Sequence, residues 1–224
     1  MKEFVMETIE LFSARVCPFA HRSRLALMEK HLPFTLIEID LRNKPDWYSQ
    51  LNPAGAVPTL RQGDFVLRES LIINEYVNEC SPEPALLPAT AQLRAQARLW
   101  IDYAGSRFVP LFYRLLKAQR AAEQGDAAVE LCKVLAVLDD ELKRRRGEGC
   151  YWFGWQVGLT DIAFYPWFER WGVLEHYRGL RIPDHLTALL GWIETMRDRD
   201  AVELGSEPAV YYVKEYADYA AGRK

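Results

Sequence analysis

Residues 8–30 read TIELFSARVCPFAHRSRLALMEK, and the order of signals in this stretch sets the fold class. Thr8 to Ser13 reads as a short strand. Pro18 opens a helix that runs to Lys30 and carries apolar Leu25, Leu27 and Met28. Proline suits a first helical turn, because the N–H it lacks would have no intrahelical partner there. Cys17 then falls at or next to the N-cap, facing unpaired backbone N–H groups and the positive end of the helix dipole. Such a setting lowers a thiol pKa. A fall from ~8.5 to ~6 needs about 3.4 kcal/mol of preferential thiolate stabilisation, and makes the thiol roughly 90% ionised at pH 7.

Working outward, strand and helix signals keep alternating. Pro33 to Asp40 has strand-like Phe34, Leu36, Ile37 and Ile39. Pro45 to Leu51 is a short helix or turn. Val57 to Arg61 and Phe65 to Leu67 form two short strands around a hairpin turn at Gly63–Asp64. Glu69 to Glu79 returns to helical spacing through Ile72, Ile73, Tyr76 and Val77. The order β-α-β-α-β-β-α predicts an α/β domain over residues 1–80. Ser81, Pro82, Pro84 and Pro88 mark a linker over 81–90. From 91 to 224 the grammar is helical, with candidates at Gln92–Arg120, Ala127–Arg146, Leu159–Trp171 and His185–Arg197, and no convincing strand.

Composition narrows the function classes. The 224 residues are half hydrophobic and 26% charged, with a net charge of −3, which excludes a disordered chain. A chain of this mass buries roughly 70% of its surface on folding, enough for a core without disulfide staples. No apolar run reaches the ~18 residues of a membrane span, and the N-terminus shows no signal-peptide pattern. The basic cluster Lys143–Arg146 fits a helix C-terminus better than a nucleic-acid surface. Cys17, Cys80, Cys132 and Cys150 are too widely spaced for a disulfide framework or a zinc site, so no metal is expected, and a reducing cytoplasm is.

Among these cysteines only Cys17 has the strand–Cys–Pro–helix context. The residue three positions on is Ala20, so C-P-F-A has no second thiol with which to resolve a mixed disulfide. The resolving thiol must come from outside, which points to a small-molecule thiol as co-substrate.

Four segments carry a family resemblance: CPFAHRSRLAL (17–27), NKPDWYSQLNPAGAVPTL (43–60), RESLIINEYVNE (68–79) and TDIAFYPWFER (160–170). On them the chain resembles the glutathione transferase superfamily, and its omega class most closely. The resemblance implies a thioredoxin-like N-terminal domain, an all-helical C-terminal domain, and a glutathione site between them. It implies that Cys17 forms a mixed disulfide with glutathione, and that Lys44 holds the glycine carboxylate. Val57 would offer its backbone N–H and C=O to the cysteinyl unit as an added strand does, with Pro58 as a cis-proline shaping that edge. Glu69 and Ser70 would hold the γ-glutamyl end. The residue chemistry agrees: a lysine point charge suits a carboxylate, an acid matches the α-amino group, and a helix N-terminus takes the α-carboxylate.

Two departures stand out. Gly158 occupies the position, three residues before Asp161, where many members have a Ser or Thr cap. Residues 200–224 do not match well, and Tyr211, Tyr212 and Tyr216, like Trp167 and Phe168, are either pocket wall or packing. The reading is a glutathione-dependent thiol transferase or reductase, with dehydroascorbate reduction as a related activity. Its expected partners are glutathione and a small-molecule or protein disulfide, with no nucleic acid, no membrane, no tightly bound cofactor, and a second copy of the chain in a homodimer. The alternatives are a conjugating transferase, for which Ser13 is a weak hydroxyl candidate, and a non-catalytic module of the same fold, RNA-polymerase-associated or channel-like.

Overall fold

The computed structural model describes residues 8–145 and 149–223. The first seven residues, Arg146 of the basic cluster and Lys224 lie outside them. The chain divides into two compact units, the first ending at Ala85 and the second starting at Leu86.

The first unit is built on a four-stranded sheet in the order β2-β1-β3-β4. Strand β1 (Ile9–Ser13) lies parallel to β2 (Phe34–Glu38) and antiparallel to β3 (Thr59–Gln62), which forms a hairpin with β4 (Phe65–Arg68). Gly63, with φ of +57°, supplies the left-handed turn residue of that hairpin. Helices α1 (Pro18–Glu29), α2 (Asp46–Leu51) and α3 (Ser70–Cys80) complete the unit. Strand alternation divides the core. Ile9, Leu11 and Leu60 pack with Leu27 of α1 and with Ile73 and Val77 of α3. Phe12 turns to the other face, with Ala20, Ile39, Tyr48 and Val57. Each fully buried Leu or Ile contributes about 2–3 kcal/mol relative to exposure.

Helix α1 is enclosed on more sides than its apolar pattern predicts: His21, Arg22, Ser23 and Arg24 are buried as well. A buried guanidinium must be hydrogen-bonded. Arg24 donates to Ser13 Oγ at 2.8 Å and to the Ala14 carbonyl at 3.2 Å, while Asn74 of α3 donates to the Arg22 carbonyl.

The second unit is helical, and its only β feature among the described residues is an isolated bridge between Tyr151 and Gly154. The predicted single helix over 92–120 is α4 (Ala91–Tyr103), a π turn (Ala104–Phe108) and α5 (Val109–Lys117). Pro110 has no N–H to give back along the ladder, which accounts for the widened turn just before it. Then follow α6 (Ala121–Arg144), α7 (Leu159–Glu169) and α8 (Gly172–Arg178). The chain closes with α9 (Thr187–Arg197), α10 (Asp200–Gly205), α11 (Ala209–Glu215) and α12 (Ala217–Ala220). The basic residues at the end of α6 are paired within their own helix: Lys143 with Asp139, and Arg144 and Arg145 with Glu141.

Helix α7 is buried almost all round and carries the aromatic core. Phe164 stacks on Trp152, and Phe168 stacks on Phe108 and Trp171. Trp167, Tyr212 and Tyr216 are also enclosed, which makes them packing rather than pocket wall. The Tyr212 ring lies over the buried Arg170 guanidinium at 4.1 Å, and its hydroxyl donates to Glu169. Asp161 anchors the start of α7 by accepting from Gly158 N at 2.9 Å, Trp152 N at 3.1 Å and Trp192 Nε1 at 2.7 Å. Glycine at 158 has a steric reason. A Cβ there would sit 3.0 Å from the Leu86 carbonyl oxygen, which accepts the Leu159 N–H at 2.8 Å.

Candidate functional site

Cys17 is the N-cap of α1, with extended backbone at φ −79° and ψ 116° and Pro18 as the first helical residue. Its sulfur accepts from Ala20 N at 3.5 Å, taking one of the N–H groups that the helix start leaves open. Its thiol donates in turn to the Val57 carbonyl at 3.7 Å. The side chain is half-buried, so a small disulfide can reach it.

The Val57–Pro58 bond is cis. Strand β3 starts at Thr59, two residues later than the sequence pattern predicts, because Pro58 has no N–H to give to a ladder. Val57 therefore stands just before the strand, with its carbonyl turned to Cys17.

Two side chains hold this edge that the sequence reading missed. Tyr48 OH donates to the Ala56 carbonyl at 2.6 Å and lies 2.9 Å from Thr59 Oγ1. Asn52 Nδ2 reaches the same two atoms, at 2.8 and 3.0 Å. Burial pushes the Tyr48 phenol up, so it remains a protonated donor. The only sequence signal for this network is a tyrosine on a short helix and an asparagine four residues on, just past the helix end and ahead of the Val57–Pro58 pair.

Glu69, between β4 and α3, has φ of +70° and ψ of 111°, a region that non-glycine residues rarely adopt. Ser70 follows as the first residue of α3 and is buried. A cleft of about 540 Å³ opens here, within the range of small-molecule sites. It brings Val57, Pro58, Glu69 and Ser70 together, with Phe19 and Arg68 also on its wall. Cys17 joins through its bond to Val57. Lys44 is not on the wall. It is exposed and lies across Gly55, whose Cβ, were there one, would be 3.3 Å from Lys44 Nζ. Gly55, with φ of +60°, sits between Ala54 and Ala56, which do line the cleft. Lys44, Arg68, Glu69 and Ser70 make no ion pair or side-chain hydrogen bond among the described residues.

The other candidates lie elsewhere. Ser13 is fully buried and accepts from Arg24, so its hydroxyl belongs to the core. Cys80 and Cys150 are exposed, and burial pushes the Cys132 thiol up. Among the described residues no group of three or more His, Cys, Asp or Glu could hold a metal ion, and no helix is long and apolar enough to cross a membrane.

Known proteins match both units. The glutathione S-transferase N-terminal domain family model matches residues 16–80, and the glutathione S-transferase C-terminal domain model matches residues 118–195. Glutathione S-transferase omega-1 of Sus scrofa is 33% identical over 196 residues, which cover 87% of this chain and 78% of that protein. Glutathione transferase Omega 3C of Trametes versicolor superposes with a TM-score of 0.85 at 30% identity, over 95% of this chain and 90% of that one. A rice glutathione S-transferase solved in complex with glutathione superposes with a TM-score of 0.85 at 27% identity, over 94% and 95% of the two chains. The thioredoxin-like sheet followed by a helical domain is the fold these proteins share. Two domain models matched in order, and a relative one-third identical across most of both lengths, establish that this chain belongs to the glutathione S-transferase family, with omega-class members among its relatives.

Proposed function

We propose that the protein is a glutathione-dependent thiol transferase that works through a mixed disulfide on Cys17. The observation that carries this reading is the position of the Cys17 sulfur, capped by the Ala20 N–H and bonded to Val57 at the edge of the cleft. The Cys17 thiolate attacks the glutathionyl sulfur of a mixed disulfide. A sulfur–sulfur bond forms to Cys17, and the substrate leaves as a thiolate that takes up a proton. A free glutathione thiolate then attacks the Cys17–glutathione bond, releasing glutathione disulfide and restoring the Cys17 thiolate. Deprotonation of Cys17 also frees the Val57 carbonyl for the cysteinyl N–H of the ligand. Lys44 takes the glycine carboxylate, while Glu69 and Ser70 take the γ-glutamyl end. Tyr48 and Asn52 are positioning residues that fix the Ala56–Pro58 edge.

The relatives that use glutathione support the co-substrate, and the buried Ser13 hydroxyl argues against a serine-based conjugating site. The same reading has the protein act in the cytoplasm as a homodimer, on small-molecule or protein disulfides and on dehydroascorbate. Incubation with glutathione disulfide followed by peptide mapping tests the intermediate. One glutathione, removable by dithiothreitol, is expected on the Cys17 peptide; an adduct on Cys80 or Cys150 alone contradicts it.

A further inference from the structure

The cleft wall carries one charge that the mechanism above does not use. Arg68 ends β4, is exposed and borders the cleft. It makes no ion pair or side-chain hydrogen bond among the described residues. Its neighbour Arg61 is in a different state. The Arg61 guanidinium is paired to Glu10 at 2.5 and 2.9 Å and lies 5.4 Å from the centre of the Phe12 ring. Arg68 stands opposite Thr59 in the β3–β4 ladder, so it shares the sheet face on which Thr59 meets Tyr48 and Asn52.

Regular strands and helices send successive residues in different directions. Here Arg68, Glu69 and Ser70 are consecutive, and all three border the cleft. The break in regularity is Glu69, whose positive φ is strained for a residue other than glycine. A strain of this kind persists where the surroundings enforce it, and it clusters at ligand sites. What it gathers is a guanidinium, a carboxylate and a hydroxyl at a helix N-terminus, none paired with another described side chain. The complementary ligand group is an ammonium and a carboxylate on one carbon, the free end of an α-amino acid.

We propose that Arg68 is a specificity-determining binding residue for the α-carboxylate of the γ-glutamyl unit, which it holds together with Ser70 while Glu69 takes the ammonium. This rests on the glutathione reading above and adds a contact to it. A guanidinium can grip a carboxylate with two parallel N–H bonds, which a single hydroxyl cannot do. Thiol peptides that lack the α-carboxylate are thereby disfavoured.

Two S-methylated ligands, which cannot form disulfides, separate the possibilities in binding titrations at low salt. One is S-methylglutathione; the other is S-methylated 4-aminobutyryl-cysteinyl-glycine, the same tripeptide without the α-carboxylate. Arg68→Ala and Arg68→Gln should bind S-methylglutathione about 5- to 10-fold more weakly than the wild type, and bind the second ligand as the wild type does, within about twofold. The preference for the complete ligand therefore falls. An unchanged preference overturns the proposal. Equal weakening of both ligands also overturns it, because Arg68 would then act on another part of the peptide. If the wild type binds neither ligand, the glutathione reading itself fails and the proposal with it.

Discussion

At Cys17 two hydrogen bonds act on the sulfur in opposite senses. The Ala20 N–H at 3.5 Å favours the thiolate, and the Val57 carbonyl at 3.7 Å favours the thiol. The helix N-terminus adds to the first. The Lys44 ammonium lies over Gly55, exposed to solvent, so its attraction for a carboxylate is screened by salt. Lys44→Ala is expected to raise the glutathione dissociation constant about 3- to 10-fold at low ionic strength and less at high salt. An unchanged constant at low salt removes Lys44 from the site. The N-cap position of Cys17 was readable from sequence because that setting is local: the next residue is a proline and a helix follows. Tyr48 and Asn52 were not, because their partners Ala56 and Thr59 are set by the path of the intervening loop. The paired state of Arg61 and the unpaired state of Arg68 were likewise invisible, since they depend on which residue lies across the sheet.

At the scale of elements, periodicity located the strands and most helices, and the shifts have physical causes. Strand β3 begins late because of Pro58, and the long helix over 91–117 widens ahead of Pro110. Helices α10 to α12 went unread because they are short, with only Val202, Tyr212 and similar isolated residues turned inward. The Gly158 departure reflects the nearness of Leu86, and Asp161 does the capping that a Ser or Thr would share. Asp161→Ala leaves three N–H donors without their acceptor, a loss of about 3–5 kcal/mol. Burial pushes the Asp161 carboxyl from 3.8 up to about 6. A folded-state pKa above the unfolded one means that the protonated form is the stabilising one. Its contribution is full below about pH 4 and is lost as pH rises through about 6. Denaturant titrations should therefore find the wild-type advantage over Asp161→Ala larger at pH 4 than at pH 7. A gap that widens with pH contradicts this assignment.

At the scale of the whole molecule, the sequence grammar changes near residue 80, the structure divides between Ala85 and Leu86, and the two family models match residues 16–80 and 118–195. Oligomeric state was not legible, since exposed apolar side chains such as Ile72, Leu99 and Trp155 are scattered along the sequence. Light scattering at micromolar concentration should give the mass of two chains, and a monomer mass would contradict the homodimer. The central claim is that Cys17 is the nucleophile and that the cleft residues hold glutathione independently of it. Serine at 17 forms no disulfide and ionises far less readily. The most direct test compares Cys17→Ser with the wild type in the rate of glutathione transfer from a mixed disulfide, with glutathione binding measured on both. Transfer should vanish in the variant while binding largely survives; equal transfer rates in the two proteins would contradict the account.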